Sequence, residues 1–260
     1  MAARPPRRND RGSEGTGRGD GSGSDSGNPA LDGGEVLTHI YFLLDRSGSM
    51  EAIREDVIGG FNSFLEDQIA EGPDALMTLV QFDTVDPFEV VADAVPITEM
   101  VRLDHTNFVP RGGTPLLDSF GKMITKAMSR SKQLEDEGLP PEQVVMVVYT
   151  DGLENSSTEW KRSQLKELIS KCETERGWLF AYLGADPDSF SEAESIGFAP
   201  GSAAHFAPTA DGVARSMSAL SLSISQARGD LRRGRRVDSL FGTRNLDLEG
   251  EGEEAQEEEE

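Results

Sequence analysis

Three short segments of the sequence carry oxygen side chains in patterns that suit a hard cation. The segment Asp45–Ser49 alternates a carboxylate with the hydroxyls of Ser47 and Ser49, and the glycine between the serines lets the loop turn tightly. Further along, Thr114 follows a pair of glycines, and Asp151 follows a long apolar segment. Carboxylate and hydroxyl oxygens suit Mg²⁺, or less specifically Mn²⁺ or Ca²⁺, and argue against zinc or copper.

The two most apolar segments of the chain would bring the two aspartates together. His39–Leu44 is followed by Asp45, and Val144–Tyr149 is followed by Thr150 and Asp151. Uninterrupted apolar segments of this length are typical of strands buried on both faces of a parallel sheet. Such sheets bind ligands beyond the carboxyl ends of their strands, and neighbouring strands lie ~4.8 Å apart. If the two strands are neighbours, the carboxylates would repel each other and one pKa would rise, unless a cation lies between them.

Strand and helix signals alternate around these segments. Apolar residues at helical spacing predict amphipathic helices, and two strand signals on either side of a polar turn predict a hairpin at one sheet edge. After the first strand, the predicted elements are a helix over 53–65, strands over Leu76–Phe82 and Phe88–Ala92, a helix over 116–128, the second buried strand, a helix over Trp160–Cys172 that begins with the capping box Ser156-x-x-Glu159, a strand over Trp178–Leu183, a helix over Pro187–Ile196, a short strand at His205–Phe206 and a helix over Pro208–Arg228. This order predicts an α/β fold with a mostly parallel sheet flanked by helices.

Composition excludes several classes of function. The 260 residues include 47 Asp and Glu against 25 Lys and Arg, and the net charge of −22 argues against nucleic acid or an anionic membrane as the main ligand. Cys172 is the one cysteine of the sequence, so an internal disulfide and a cysteine-based zinc site are both excluded. A membrane-spanning helix needs ~20 apolar residues, and the longest apolar run is far shorter, so we expect a cytoplasmic protein.

The two ends of the chain differ in composition from the middle. Residues 1–35 are rich in Gly, Ser, Arg and Asp and are expected to stay disordered, because they have almost nothing to bury. Residues 36–228 hold the predicted domain, and residues 229–260 are expected to form a basic stretch and then a disordered acidic tail. Five arginines around this boundary are interpreted as the cationic end of the last helix: Arg228, Arg232, Arg233, Arg235 and Arg236. An RNA-binding arm is the less favoured alternative, because no aromatic residues are interleaved for base stacking.

The pattern Asp45-x-Ser47-x-Ser49, with Thr114 after a glycine pair and Asp151 before a glycine, resembles the metal-ion-dependent adhesion site (MIDAS) of von Willebrand factor type A (VWA) domains. The resemblance covers roughly residues 36–228, includes the order of the elements, and fills all five metal positions. It implies a three-layer, Rossmann-like fold whose sheet has about six strands, one of them an antiparallel edge strand. It also implies three hydroxyl ligands and two aspartates that act directly or through water. The chain resembles the stand-alone, cytoplasmic bacterial type rather than secreted, disulfide-clasped adhesion domains.

Each of these residues also has an ordinary structural role available to it. Asp45 could simply end a strand, and Ser49 and Thr114 could cap helices. Asn155 is expected either to hold the loop after Asp151 through backbone hydrogen bonds or to serve an ordinary turn. The coincidence of five oxygen ligands at the ends of the two most apolar strands favours the metal site.

The metal site predicts a Mg²⁺-dependent protein-binding module, an adaptor or scaffold rather than an enzyme. The ion would stay electrophilic because three of its five ligands are neutral, and a Glu or Asp of a partner protein would fill an open coordination position. The alternatives are a Mg²⁺-dependent hydrolase of phosphate esters and a structural subunit whose metal stabilises the fold. The sequence lacks a second aspartate two residues after Asp45, a P-loop lysine and a Gly-x-Ser-x-Gly turn, which disfavours the hydrolase.

Two further expectations concern partners. The family resemblance implies partners such as ATPases, kinases, chelatases or components of stress and phage-defence systems. The acidic C-terminal tail, which ends in Glu257–Glu260, is a candidate for an intramolecular contact with the metal, because a tethered carboxylate has a high local concentration.

Overall fold

The two most apolar segments lie side by side in the middle of one sheet. The computed structural model of the protein describes residues 37–248. The strands in this range are β1 Thr38–Asp45, β2 Ala75–Phe82, β3 Glu89–Pro96, β4 Gln143–Thr150, β5 Leu179–Gly184, β6 Ala203–His205 and β7 Leu246–Asp247. Their order in the sheet is β3-β2-β1-β4-β5-β6-β7, and β1 pairs in parallel with both β2 and β4. The β2–β3 pair is antiparallel, so the predicted hairpin lies at one edge of the sheet.

Helices cover both faces of this sheet. They are α1 Arg54–Glu71, α2 Leu116–Asp136, α3 Arg162–Arg176, α4 Ser189–Ile196 and α5 Ala210–Arg232, with short 3₁₀ turns at Gly48–Ile53 and Ile97–Glu99. Helices α1 and α5 pack on one face through side chains such as Phe61 and Leu220, and α2, α3 and α4 pack on the other through Phe120, Ile169 and Ile196. The predicted three-layer α/β fold is confirmed, with seven strands in place of about six. Within residues 37–248, no helix is long and apolar enough to cross a membrane.

Burial on both faces explains why β1 and β4 read as unbroken apolar segments. Every residue of β1 is buried. Along β1, Phe42 packs toward α1 and α5, and Leu43 packs toward the other helices, because successive side chains of a strand point to opposite faces. Asp45 ends this strand and is itself buried, so its charge lies inside the protein.

The domain extends beyond the boundary at residue 228. Helix α5 continues to Arg232, and the chain then returns to the sheet, where Leu240 and Phe241 are buried. Leu246–Asp247 forms β7, which is parallel to β6. The few apolar residues of this segment are separated by arginines and glycines, so they form no recognisable strand pattern. The predicted disorder of residues 1–35 and of the acidic tail after residue 248 lies outside the described residues.

The arginines near the end of α5 are not simply a cationic helix end. Arg228 is buried and donates hydrogen bonds to the carbonyls of Gln68 at 2.9 Å and Gly72 at 2.8 Å, and to the carboxylate of Asp74 at 2.7 Å. Arg232, one turn further on, also pairs with Asp74, at 3.3 Å. Arg228 therefore caps the last carbonyls of α1, a role that its interpretation as part of the cationic end of the last helix did not include.

The predicted capping box before α3 is wrong. The helix begins at Arg162, and the N–H of Lys161 donates to the Gln164 side chain at 2.9 Å. The backbone N–H groups of residues 158–160 donate instead to the carboxylate of Asp118 on α2, at 2.8–2.9 Å. These three hydrogen bonds hold residues 158–160 against α2. The helix α3 therefore begins later in the chain than predicted, at Arg162.

Candidate metal centre

The structure brings all five predicted ligands together beyond the carboxyl ends of β1 and β4. They are Asp45, Ser47, Ser49, Thr114 and Asp151. Asp45 ends β1, the two serines lie at the start of the 3₁₀ turn that follows, Thr114 lies two residues before α2, and Asp151 directly follows β4. Three separate loops therefore contribute to one place, as expected for the carboxyl edge of a parallel sheet.

Short distances connect the hydroxyls with Asp151. The Oγ of Ser49 donates to Oδ1 of Asp151 at 2.7 Å and lies 3.1 Å from the Oγ of Ser47. A Cβ atom added to Gly152 would lie 3.8 Å from the Oγ of Ser49 and 3.8 Å from the Oγ1 of Thr114. The three hydroxyls and the carboxylate of Asp151 therefore surround one small space.

Asp45 is a fully buried carboxylate whose hydrogen bonds come from neutral donors. Its Oδ1 accepts the N–H of Ser47 at 2.6 Å, and its Oδ2 accepts the hydroxyl of Thr150 at 2.6 Å. Burial raises the pKa of Asp45 to about 7, the two hydrogen bonds offset part of that rise, and the charge of Asp151 adds to it. The carboxyl group of Asp45 therefore titrates near neutral pH when no cation is next to it.

Asp151 shares this lack of a positive partner. Burial raises its pKa, and the hydroxyl of Ser49 counteracts the rise only in part. Within residues 37–248, the buried carboxylates of Asp83 and Glu192 pair with arginines, whereas Asp118, like Asp45, accepts hydrogen bonds from neutral donors, in its case three backbone N–H groups. A divalent cation between Asp45 and Asp151 would supply the missing positive charge.

The donor set fits a hard cation better than a soft one. No group of three or more His, Cys, Asp or Glu side chains that could hold a metal occurs within residues 37–248. The five side chains supply two carboxylates and three hydroxyls, all of them oxygen donors. Such a set suits Mg²⁺, Mn²⁺ or Ca²⁺. These five residues could hold the ion.

The two loops that carry the hydroxyl ligands are joined through their backbones. The N–H of Gly48 donates to the carbonyl of Gly112 at 3.0 Å, and the N–H of Arg111 donates to the carbonyl of Arg46 at 2.8 Å. Gly112 has a φ of 68°, and a Cβ there would lie 2.4 Å from the Oγ1 of Thr84. Only glycine fits this close approach, so the glycine pair before Thr114 has a structural reason.

Asn155 holds the Thr114 loop, the first of the two roles expected for it. Its Oδ1 accepts the N–H of Thr114 at 2.9 Å, and its own N–H donates to the carbonyl of Thr114 at 3.2 Å. Glu154, next to it, accepts the N–H of Leu117 in the first turn of α2 at 2.9 Å. The segment after Asp151 thus fixes both Thr114 and the start of the following helix.

Two features of the site were not predicted from the sequence. Thr150 positions Asp45, although it has the appearance of an ordinary strand residue; its place directly before Asp151 was the available signal. The other is an ion cluster in which Arg46 and Arg111 both contact the buried carboxylate of Asp83. An arginine between two ligand positions was the signal for this cluster.

Comparison with known proteins identifies relatives by fold. No protein-family model and no curated protein matches the chain. The pilus adhesin SpaC from Lactobacillus rhamnosus GG, in its open conformation, is 14% identical with a TM-score of 0.52, over 74% of this chain and 30% of that one. Proximal thread matrix protein 1 from the mussel byssus, with a zinc-occupied MIDAS motif, is 16% identical with a TM-score of 0.50, over 75% and 46%. A von Willebrand factor type A structure from Catenulispora acidiphila is 15% identical with a TM-score of 0.48, over 72% and 42%.

These similarities concern the fold. The chain spans 30–46% of the length of the three proteins. At 14–16% identity, the two structures with TM-scores of 0.50 and 0.52 show the architecture alone, which is a Rossmann-like α/β fold. The fold implied by the sequence resemblance is therefore confirmed.

Proposed function

We propose that this chain is a protein-binding module of the VWA type, which acts as an adaptor or scaffold in the cytoplasm. Its interactions require a divalent cation, and Mg²⁺ is the cation that we propose. The proposed ligands are Asp45, Ser47, Ser49, Thr114 and Asp151. The observation that supports this most strongly is the pair of carboxylates, Asp45 buried and Asp151 half-buried, that have no positive partner among the described residues and lie beside three hydroxyls. Elsewhere in the described part of the chain, the buried acids Asp83 and Glu192 pair with arginines.

A partner's carboxylate would complete the coordination shell. Mg²⁺ prefers octahedral geometry, and five side chains leave at least one position open. When bound, the ion would supply a Lewis acid for one carboxylate oxygen, so a Glu or Asp of a partner protein would bind with a charge-assisted contact. Asp45 already uses both its oxygens for hydrogen bonds to Ser47 and Thr150, which favours its acting through a water molecule.

We also propose that the module is not an enzyme. The described residues contain a carboxylate, an imidazole and a hydroxyl in the order of a hydrolase triad: Glu142 contacts His39 at 2.8 Å, and His39 contacts Thr78 at 2.9 Å. His39 and Thr78 are fully buried, and Thr78 also accepts the N–H of Ala94 at 3.0 Å, so this hydroxyl cannot reach a substrate. With Mg²⁺ present, we expect no hydrolysis of p-nitrophenyl phosphate above that of the Asp45→Ala variant; a difference between the two would favour the hydrolase.

The acidic tail supplies a carboxylate within the same chain. Residues 247–260 contain nine acids and no base. We propose that the tail competes with the partner for the ion, since a tethered carboxylate has a local concentration on the order of millimolar. Deletion of residues 249–260 leaves β7 in place and should tighten Mg²⁺-dependent partner binding. Equal affinity with and without these residues would leave the tail as a solubilising segment.

A capture experiment with a matched pair of variants tests the module. Immobilised protein is incubated with native lysate in Mg²⁺ or in EDTA, as wild type, Thr114→Val and Thr174→Val. Valine keeps the shape of threonine and removes the hydroxyl, and Thr174 is an exposed residue of α3. Partners should be retained by wild type and Thr174→Val in Mg²⁺, and lost in EDTA and with Thr114→Val. Retention that is the same in EDTA would contradict the proposal.

A further inference from the structure

An ion cluster lies beside the candidate metal centre and joins the loops that carry its ligands. Arg46 Nε and Arg111 Nε both donate to the same oxygen, Oδ2 of Asp83, at 2.8 and 3.0 Å. Arg46 Nη1 also donates to Oε2 of Glu89 at 2.5 Å and to Oε1 of Gln81 at 3.2 Å. Two arginines and two acids thus form a nearly neutral cluster, of which Asp83 is the shared centre.

The two arginines of this cluster belong to the two ligand-bearing loops. Arg46 lies between two of the proposed ligands, and Arg111 lies three residues before Thr114. The same loops share the backbone hydrogen bonds from Arg111 to Arg46 and from Gly48 to Gly112. Side chains and backbone therefore fix the spacing of the same two loops.

Asp83 is held rigidly on the turn between β2 and β3. Its second oxygen, Oδ1, accepts the N–H groups of Val85 at 2.6 Å and Asp86 at 2.9 Å. Burial by itself would raise the pKa of Asp83, but the hydrogen bonds from Asp86 and Arg111 outweigh it, and the pKa is lowered. The neighbouring Thr84 accepts the N–H of Gly113 at 3.0 Å, so the turn also contacts the Thr114 loop directly.

We propose that Asp83 is the positioning residue of the metal site. By holding Arg46 and Arg111 on one oxygen, it sets the distance between the two loops and so brings the hydroxyls of Ser47, Ser49 and Thr114 together. Together with Glu89, it offsets the charge of two guanidinium groups that would otherwise repel a cation close by. The inference rests on the proposed function of the five ligands, and Asp83 acts through the two arginines.

Asp74 provides a matched control at the other end of the same strand. It lies directly before β2, as Asp83 lies directly after it. It also pairs with two arginines, Arg228 at 2.7 Å and Arg232 at 3.3 Å. Asp74→Asn therefore removes the same chemical group from the same kind of cluster, at the edge of the sheet opposite the metal site.

The experiment is calorimetric titration of Mn²⁺ into the full chain, well below its melting temperature. Asp151→Ala gives the background from weak binding elsewhere on the acidic chain. We expect Asp83→Asn and Asp74→Asn both to lower the melting temperature in EDTA. Only Asp83→Asn should weaken Mn²⁺ binding, by about tenfold or more, while Asp74→Asn stays within about twofold of wild type. If Asp83 had only a structural role, the two variants would change Mn²⁺ binding to the same extent.

The outcomes distinguish this inference from the proposed function. Wild type that binds Mn²⁺ no better than Asp151→Ala would overturn the proposed function and the inference with it. Wild-type affinity in Asp83→Asn would overturn the inference alone. If Asp83→Asn fails to fold, Arg111→Gln replaces it, because the Arg111 side chain is 41% exposed. Arg111→Gln should then weaken Mn²⁺ binding about threefold or more and Arg111→Lys should restore it, whereas wild-type affinity in Arg111→Gln would overturn the inference.

Discussion

Carboxylates are buried at both ends of the central strands, and the two ends treat them in opposite ways. Glu142, directly before β4, accepts hydrogen bonds from Arg130 at 2.5–3.0 Å and from His39 at 2.8 Å. Burial alone would raise the pKa of Glu142, but these partners lower it to about 2. At the other end, burial raises the pKa of Asp45 to about 7, and Asp151 beyond β4 also has a raised pKa.

The difference separates a site whose charges the protein balances from a site whose charges it does not balance. At the amino end, the protein supplies both the charge and its counter-charge, so the arrangement stabilises the fold by itself. At the carboxyl end, it supplies only the negative half, together with neutral hydroxyls. Local rules of folding are commonly broken at functional sites, and the missing counter-ion is such a break.

The largest effect should come from removing the acid of the complete site. Glu142→Gln would leave Arg130 and the buried His39 without their acid, and should destabilise the protein by about 2–4 kcal/mol in urea denaturation at pH 7. The control is Asp136→Asn, because Asp136 and its partner Lys132 are both exposed, and this change should cost less than about 0.5 kcal/mol. Equal effects of the two substitutions would contradict the assignment of Glu142 as the structural acid.

The pH dependence of this effect has a definite sign. The pKa of Glu142 is about 2 in the folded state and 4.5 in its ordinary state, so the group contributes stability above about pH 4.5. That contribution is lost as the pH falls toward 2. The difference in unfolding free energy between wild type and Glu142→Gln should therefore shrink over that range.

A smaller effect of opposite sign is expected at the carboxyl end. Without metal, Asp45→Asn should stabilise the protein at pH 8 by about 1–3 kcal/mol, because it removes a buried charge that has no partner. The amide fits: its oxygen can accept the N–H of Ser47, and its NH₂ can donate to Thr150, whose hydroxyl lies 3.0 Å from the carbonyl of Gly152. With Mg²⁺ the order should reverse, since only wild type gains stability from the ion.

The pH dependence expected for Asp45 has the opposite sign to that expected for Glu142. The folded-state pKa of Asp45, about 7, lies above its ordinary value of 3.8, so the folded protein binds this proton more tightly. In EDTA, this group should make wild type less stable as the pH rises from about 4 through 7, with no further loss above that. Asp45→Asn should lack this slope when melting temperatures are measured across the range. An identical slope in both proteins would show that Asp45 is not the group that titrates.

The sequence predicted the central strands, and the place of the five oxygen side chains beyond them, because both depend on local patterns. Unbroken apolar segments mark β1 and β4, and alternation of oxygen side chains marks the loop after Asp45. The closing strand β7 was missed because it has two residues and its partner β6 is far away in the chain. Residues 229–248 are polar in composition, so no buried segment was predicted there. Leu240 and Phe241 are nevertheless buried in the core.

Partners that are distant in sequence account for the other differences. The capping box before α3 has the right spacing, but Asp118, about 40 residues earlier, takes the N–H groups of that segment. Arg228 was interpreted as part of the cationic end of the last helix, but it also caps the end of α1. The ion cluster of Asp83 could not be predicted from the sequence for the same reason, since its arginines lie on two separate loops.

The most direct test of the central claim is an anomalous difference map from crystals soaked in MnCl₂, recorded near the manganese absorption edge. We expect one strong peak within coordination distance of the hydroxyls of Ser47, Ser49 and Thr114 and beside Asp151, and no such peak in Asp45→Asn crystals treated in the same way. A map with no peak at this place, or with its only peaks on other acidic residues, would contradict the assignment of the metal site.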